Sequence, residues 1–136
     1  MVDRTRVLRL LRALADDVAT LRGEASADPS RRADPMWLPG VKYRFVTAVE
    51  ACVDIAQHIC SSEGWGPPRD NGDAMRVLAR HGVLDAQQGT RMSHAVGFRN
   101  VLVYQYIEVD DRVVLKRLQD LSDLDQFARA VARFVG

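Results

Sequence analysis

The sequence predicts an all-α, up-and-down bundle of about five to six helices. Three observations carry that expectation. Apolar residues recur at three- and four-residue intervals through most of the 136 residues, and residues suited to capping helix ends stand between the periodic segments. Strand-like alternation of useful length is absent, because Val113-Val114-Leu115 is short and bounded by charge.

From Arg4 to Arg22, Val7, Leu8, Leu11, Leu14, Val18 and Leu21 form one apolar stripe opposite Arg and Asp, which predicts a first amphipathic helix. Gly23 to Gly40 holds Ser26, Pro29, Ser30, Pro35 and Pro39 and is expected to be a loop, with Met36-Trp37-Leu38 folding back onto the bundle. Val41 to Ser62 carries Phe45, Val49, Cys52, Ala56 and Ile59 on one stripe and Val46, Val53 and Cys60 on another, so a long helix there has two neighbours. Gly64 to Pro68 ends it. Asp70-Asn71-Gly72-Asp73 supplies side-chain oxygens to start a shorter helix that runs to about Arg80 and closes at His81-Gly82. Leu84 to Gly89 is expected to be a connector, with the next helix running from about Thr90 through the segment discussed below. Val109-Asp110-Asp111 interrupts the pattern and caps a short helix over Arg112 to Leu118. Ser122 and Asp125 are spaced as a capping box for a last helix that packs Leu124, Phe127, Ala128, Val131 and Phe134.

This length suits one domain, 1–136, while leaving room for a second copy to complete a site. Apolar residues at 47% and charged residues at 27% exclude a largely disordered chain. No apolar run approaches the roughly 20 residues that cross a bilayer, and the N-terminal segment interleaves Arg with Leu where a signal peptide would be apolar. A cytoplasmic protein without membrane partners is expected. The net charge of +1 supplies no general field for nucleic acid, so RNA binding would rest on local arginines such as Arg4, Arg9, Arg12, Arg76 and Arg80. Cys52 and Cys60, eight apart on one helix, lie about 12 Å apart, too far to bridge. They read as reduced core thiols, and neither a metal nor another cofactor is expected.

The segment Phe98-Arg99-Asn100-Val101-Leu102-Val103-Tyr104-Gln105-Tyr106 sets an arginine, an amide and two phenols around a short apolar core. Metal-independent RNA cleavage needs groups that move the 2′-hydroxyl proton and groups that stabilise added charge on phosphorus. Arg99 offers a planar fork for two phosphate oxygens, and Asn100 can orient a water or a phosphate. On a continuous helix Arg99 and Tyr106 fall about 20° apart while Tyr104 sits about 140° away, so residue 104 either lies past the helix end or meets an Arg99 of another subunit.

The segment resembles the Arg-(four residues)-His-x-Tyr signature of HepT toxins, ribonucleases of the HEPN superfamily, with Tyr104 where that family has His. Tyr43-Arg44-Phe45, the run Ala51 to Ile59, the Gly-Pro loop after it and Val109-Asp110 extend the resemblance over most of the chain. It implies a HEPN-like bundle and a toxin subunit of a type VII toxin–antitoxin system, cutting RNA, transfer or messenger, without a metal. It also implies a homodimer whose two motifs line one cleft. Arg99, Asn100 and Tyr104 then stand at the catalytic positions. Tyr106 matches the tyrosine to which the family's MntA antitoxin, a minimal nucleotidyltransferase, transfers AMP from ATP, and Tyr104 offers a second phenol nearby.

A phenol with pKa near 10 is ionised to about one part in a thousand at pH 7, whereas an imidazole near 6.5 populates both forms. As a general base Tyr104 therefore gives up roughly three orders of magnitude, although it can still donate a hydrogen bond to phosphate. Several readings stay open: a weakened nuclease, a nuclease that uses a phenol, an inactivated His-to-Tyr variant, a silent relative that binds or is modified by a nucleotidyltransferase, and a plain helical adaptor. Glu50, Asp54 and His58 form an i, i+4, i+8 stripe on the long helix, in which Asp54 is expected to orient Arg99 and His58 is a candidate replacement proton carrier. His81 and His94 read as structural or surface residues.

Overall fold

Seven α-helices and no strand make up the fold of the computed structural model, which covers residues 1–136. They are α1 (Arg4–Ala25), α2 (Pro29–Arg32), α3 (Trp37–Glu63), α4 (Asn71–Arg80), α5 (Ala86–Tyr104), α6 (Asp111–Leu118) and α7 (Ser122–Val135), with a 3-10 turn at Tyr106–Glu108. The all-α bundle expected from the periodicity is what forms. No helix is long and apolar enough to cross a membrane.

Helix α1 starts at Asp3, whose side chain accepts from the Arg6 N–H, and buries Val7, Leu14, Val18 and Leu21. Its direction is fixed by contacts at both ends. Asp3 N–H donates to His58 Nε2 near the end of α3, while Glu24 accepts from the Trp37 indole at its beginning, so α1 and α3 run antiparallel. Between them the buried Asp17 carboxylate accepts from Arg44 and from the Thr47 hydroxyl, which satisfies a group that would otherwise be costly to bury. Helix α7 returns along α1, with Arg22 on Asp125 at one end and Arg4 on the Gly136 carbonyl at the other. Thirty-four buried apolar residues form the core, with Phe127, Leu14, Leu21, Ile55 and Ile59 among its fully buried members.

Several boundaries depart from expectation. The stretch read as one loop from Gly23 to Gly40 contains α2, capped by Asp28 with Pro29 in its first turn, and the first turn of α3. Pro39 and Gly40 lie inside α3 because amide groups in a helix's first turn have no intrahelical carbonyl to meet, so a missing N–H costs nothing there. Trp37 is buried as expected, whereas Met36 points to solvent. Helix α5 begins at Ala86, four residues early, because Asp85 and Gln88 exchange both capping-box hydrogen bonds. Ser122 and Asp125 form no such box; the Asp120 carboxylate accepts from both the backbone N–H and the hydroxyl of Ser122 at the start of α7. Phe134, expected in the core, lies at its edge, 39% exposed with its ring 6.1 Å from Trp65. Helix α3 ends where Gly64 adopts φ 68°, the left-handed cap that glycine tolerates without a Cβ clash. Cys52 and Cys60 are buried and free, and burial pushes both thiols above their ordinary range.

Candidate active site

Helices α4 and α5 pack side by side. At Gly89 a Cβ would lie 2.7 Å from the Ala79 methyl, so the absence of a side chain there permits their closest approach. Beyond this contact the pair opens into a polar groove of about 380 Å³ between the start of α4 and the second half of α5. Asp70, Asn71, Gly72 and Arg76 line one wall, and Ser93, Val96, Gly97, Arg99, Asn100 and Tyr104 the other.

Arg99 and Asn100 come to this groove from the penultimate turn of α5, and Arg99 is fixed from two sides. Its Nη2 donates to Glu50 Oε1 on α3, and its Nη1 donates to Asn100 Oδ1 at 3.1 Å. The hydrogen bond to Glu50 is the chief reason that the guanidinium is held above its ordinary pKa, burial opposes it, and the Tyr104 phenol adds to the upward shift. The Arg99 side chain is mostly covered, at 16% exposure, while Glu50 stays half-exposed at 48%. An ion pair with one partner in water contributes about 0–1 kcal/mol, so its consequence is orientation rather than stability. Phe45 meets Phe98 edge-on at 5.4 Å between centroids, which sets the depth of α5 against α3 beside this pair.

Tyr104 is the last residue of α5, and the Arg99 guanidinium carbon lies 6.0 Å from its ring centroid within the same chain. The helix-wheel separation does not keep the two apart, because both side chains turn into the groove at the helix end. Tyr104 is 75% exposed, and its hydroxyl is accessible to a ligand.

Tyr106 does not join them. Gln105 leaves helical geometry at φ −129°, ψ 39°, and the 3-10 turn that follows directs Tyr106 onto Lys42, whose Nζ lies 4.6 Å from the ring centroid. The same buried ammonium pairs with Asp111 Oδ1 at 2.9 Å. The expectation that Arg99 and Tyr106 share a helix face therefore fails, since the helix stops before it reaches residue 106. Lys42 was not foreseen; its signal in the sequence is one lysine inside the apolar pattern of α3.

The stripe on α3 also divides. Glu50, not Asp54, holds Arg99, and Asp54 is exposed with no hydrogen-bond partner in the chain. His58 lies two turns further along, where its Nε2 accepts from Asp3 N–H at 3.0 Å and sits 3.3 Å from Ser62 Oγ. It does not line the groove, and neither do His81, which stacks on Trp65 at 4.1 Å, and the exposed His94. No group of three or more His, Cys, Asp and Glu side chains is gathered as metal ligands would be. The groove thus brings together a phosphate-sized cation, amides, a hydroxyl and a phenol, a set able to bind and polarise an anion.

Comparison with known proteins gives this chemistry a context. An mRNA nuclease HepT of Shewanella oneidensis is 33% identical over 79 residues, which is 57% of this chain and 59% of that one. A putative RNase of Archaeoglobus fulgidus is 28% identical over 96 residues, 71% of this chain and 72% of its own. The fold is shared with a tri-AMPylated Shewanella oneidensis HEPN toxin solved in complex with an MNT antitoxin, at a TM-score of 0.86 and 23% identity, covering 98% of this chain and 99% of that one. The model of the ribonuclease HepT-like family matches residues 11–131, and the chain belongs to that family.

Proposed function

We propose that this chain is the toxin subunit of a toxin–antitoxin pair, a metal-independent endoribonuclease that works on messenger or transfer RNA in the cytoplasm as a homodimer. In this reading each copy is a single domain, 1–136, whose motif lines a cleft shared with its partner, and a MntA-like nucleotidyltransferase neutralises it by transferring AMP to Tyr106 or to Tyr104. The single observation that supports it most is the meeting of Arg99 and Tyr104 in an open polar groove, with Glu50 holding the guanidinium in place. The ribonuclease family and the nuclease relative in Shewanella agree with it.

The chemistry follows from the groups present. The ribose 2′-hydroxyl attacks the adjacent phosphorus, the bond to the 5′-oxygen breaks, and a cyclic phosphate and a 5′-hydroxyl result. Arg99 stabilises the charge that builds on the phosphoryl oxygens, and the Tyr104 hydroxyl donates to phosphate or to the departing oxygen. No imidazole lines the groove, so with Tyr104 in place of the family's His the base step lacks the usual proton acceptor and is expected to be slow. Val103, Tyr104, Tyr106 and Ile107 are all exposed within five residues, an apolar surface suited to a second copy or an antitoxin.

A second reading is favoured by the same substitution: a catalytically silent relative whose exposed phenols serve as targets for a nucleotidyltransferase. Cleavage of an RNA mixture in chelator by the parent chain, Tyr104→His and Arg99→Ala separates the two. Cutting by the His form alone identifies the groove as a nuclease site weakened by Tyr104. Cutting by parent and His forms but not by Arg99→Ala gives the proton transfer to Tyr104 itself, and no cutting by any form hands the case to the silent relative.

A further inference from the structure

We infer that Arg76, on the opposite wall of the groove from Arg99, is a second phosphate-binding residue, which takes the RNA backbone phosphate next to the one that Arg99 engages. The inference rests on the ribonuclease reading and adds to it the path of the strand.

Arg76 leaves α4 in its second turn and folds back over the first, so that its Nη1 lies 4.0 Å from the place a Cβ on Gly72 would occupy. It lines the same groove as Arg99. Within the chain it has neither an ion pair nor a hydrogen bond, in contrast to Arg69 in the loop before α4, which lies on Asp73. Two guanidinium groups along one groove repel each other unless an anion lies between them. The carboxylates nearby do not fill that role. Glu50 engages Arg99 from the α3 side and is not part of the groove wall; Asp70 does line the groove, but its Oδ1 accepts the Asp73 N–H at 2.7 Å as the cap of α4 and it forms no ion pair with Arg76.

The space between the two arginines is kept open by composition. Gly97 stands on the α5 wall, where an added Cβ would meet nothing within 4 Å, and Gly72 stands on the α4 wall within reach of Ser93 Oγ. The Ser93 hydroxyl and the amides of Asn71 and Asn100 supply uncharged polar contacts along the way. One phosphate group needs one arginine fork. Two forks at separate positions on an open channel suit a chain with phosphates at regular intervals, and single-stranded RNA is the polymer on which the proposed reaction acts.

The test is equilibrium binding of a short fluorescent single-stranded RNA over a salt series, with the intact chain, Arg76→Ala, Arg76→Lys and Arg80→Ala. Arg80 lies one turn further on α4, is exposed and does not line the groove, so its replacement changes the net charge equally. Loss of one phosphate contact to single-stranded RNA lowers the slope of log K against log salt by about 0.7. The expected result is that loss for Arg76→Ala with weaker binding at moderate salt, partial recovery in Arg76→Lys, and the parent slope in Arg80→Ala. If Arg76→Ala keeps the parent slope, or if Arg80→Ala loses as much, the assignment of Arg76 is overturned while the nuclease reading stands. If the intact chain fails to bind RNA at any salt concentration, the two fall together. Unchanged helical circular dichroism in all four proteins ties any loss to the contact and not to folding.

Discussion

The contact between Gly89 and Ala79 sets how near α4 and α5 lie, and with it the width of the groove, so Gly89→Ala is a perturbation whose sign follows from distances. An added methyl would sit 2.7 Å from the Ala79 Cβ and 3.4 Å from the Met75 carbonyl oxygen. Carbon atoms in contact settle at about 3.5–4.0 Å, so the helices must separate by about 1 Å or the backbone must bend. Overpacking of this kind costs about 1–3 kcal/mol, against about 1 kcal/mol gained by exchanging glycine for alanine in a helix. The net is a destabilisation of up to about 2 kcal/mol, or a drop of up to about 8 °C in Tm for a chain of this size. Gly97→Ala on the same helix supplies the opposite sign, since its Cβ meets nothing within 4 Å and only the helix preference remains, up to about 1 kcal/mol of stabilisation. Thermal and urea unfolding followed by circular dichroism would measure both. A Gly89→Ala protein as stable as Gly97→Ala, or more stable than the parent, would refute the packing argument.

Removing the carboxylate behind Arg99 is expected to affect chemistry far more than stability. Glu50→Ala should lower Tm by the equivalent of less than about 1 kcal/mol but reduce RNA cleavage by the Tyr104→His form on the order of 10- to 100-fold, with Glu50→Gln in between; equal losses in both quantities would contradict a positioning role. Asp73 accepts from the Arg69 backbone N–H and then from its guanidinium, which together hold its carboxyl below the ordinary value in the folded chain. Its contribution is therefore fully present above the unfolded pKa near 3.9 and is lost as pH falls through the lower folded value. Asp73→Asn should cost about 1.5–3 kcal/mol at pH 7 and flatten the acid limb of stability in urea titrations between about pH 5 and 2; an acid limb identical to that of the parent would remove Asp73 from its causes.

Much of this architecture was legible because helix periodicity and capping are local. The apolar stripes located α1, α3, α4, α6 and α7, and Asp3, Asp70 and Asp110 cap where acidic residues precede those patterns. What escaped was decided by contacts that sequence spacing does not carry. Gly89 bounds the expected connector but is a packing position inside α5, which the capping box of Asp85 and Gln88 starts at Ala86. Pro39 and Gly40 looked like loop residues and sit harmlessly in a first turn. In the site, the motif alone singled out Arg99, Asn100 and Tyr104. Which carboxylate reaches Arg99 depended on the register of α3 against α5, and that register chose Glu50 over Asp54. Where Tyr106 goes depended on the residue at which α5 stops.

That last point bears on how the protein would be silenced. An AMP group on Tyr104 would enter the groove directly, placing a phosphate and a nucleoside beside Arg99. An AMP group on Tyr106 begins outside the groove, from a ring that lies against Lys42, whose ammonium is itself paired with Asp111. A nucleotidyltransferase needs its target hydroxyl presented in a repeatable position, and a phenol packed on a buried ammonium is better presented than one that is 75% exposed at a helix end. Tyr106 is therefore the expected acceptor, in agreement with the motif position. With a MntA-like enzyme and ATP, Tyr104→Phe should still gain AMP by mass spectrometry, Tyr106→Phe should not, and Lys42→Met should be modified more slowly while remaining folded. On the proposed homodimer reading, the inhibition that follows arises between copies, because the modified ring of one chain does not face its own Arg99. Modification that persists in Tyr106→Phe and disappears in Tyr104→Phe would reverse the assignment and make the blockade a matter of one chain's own groove.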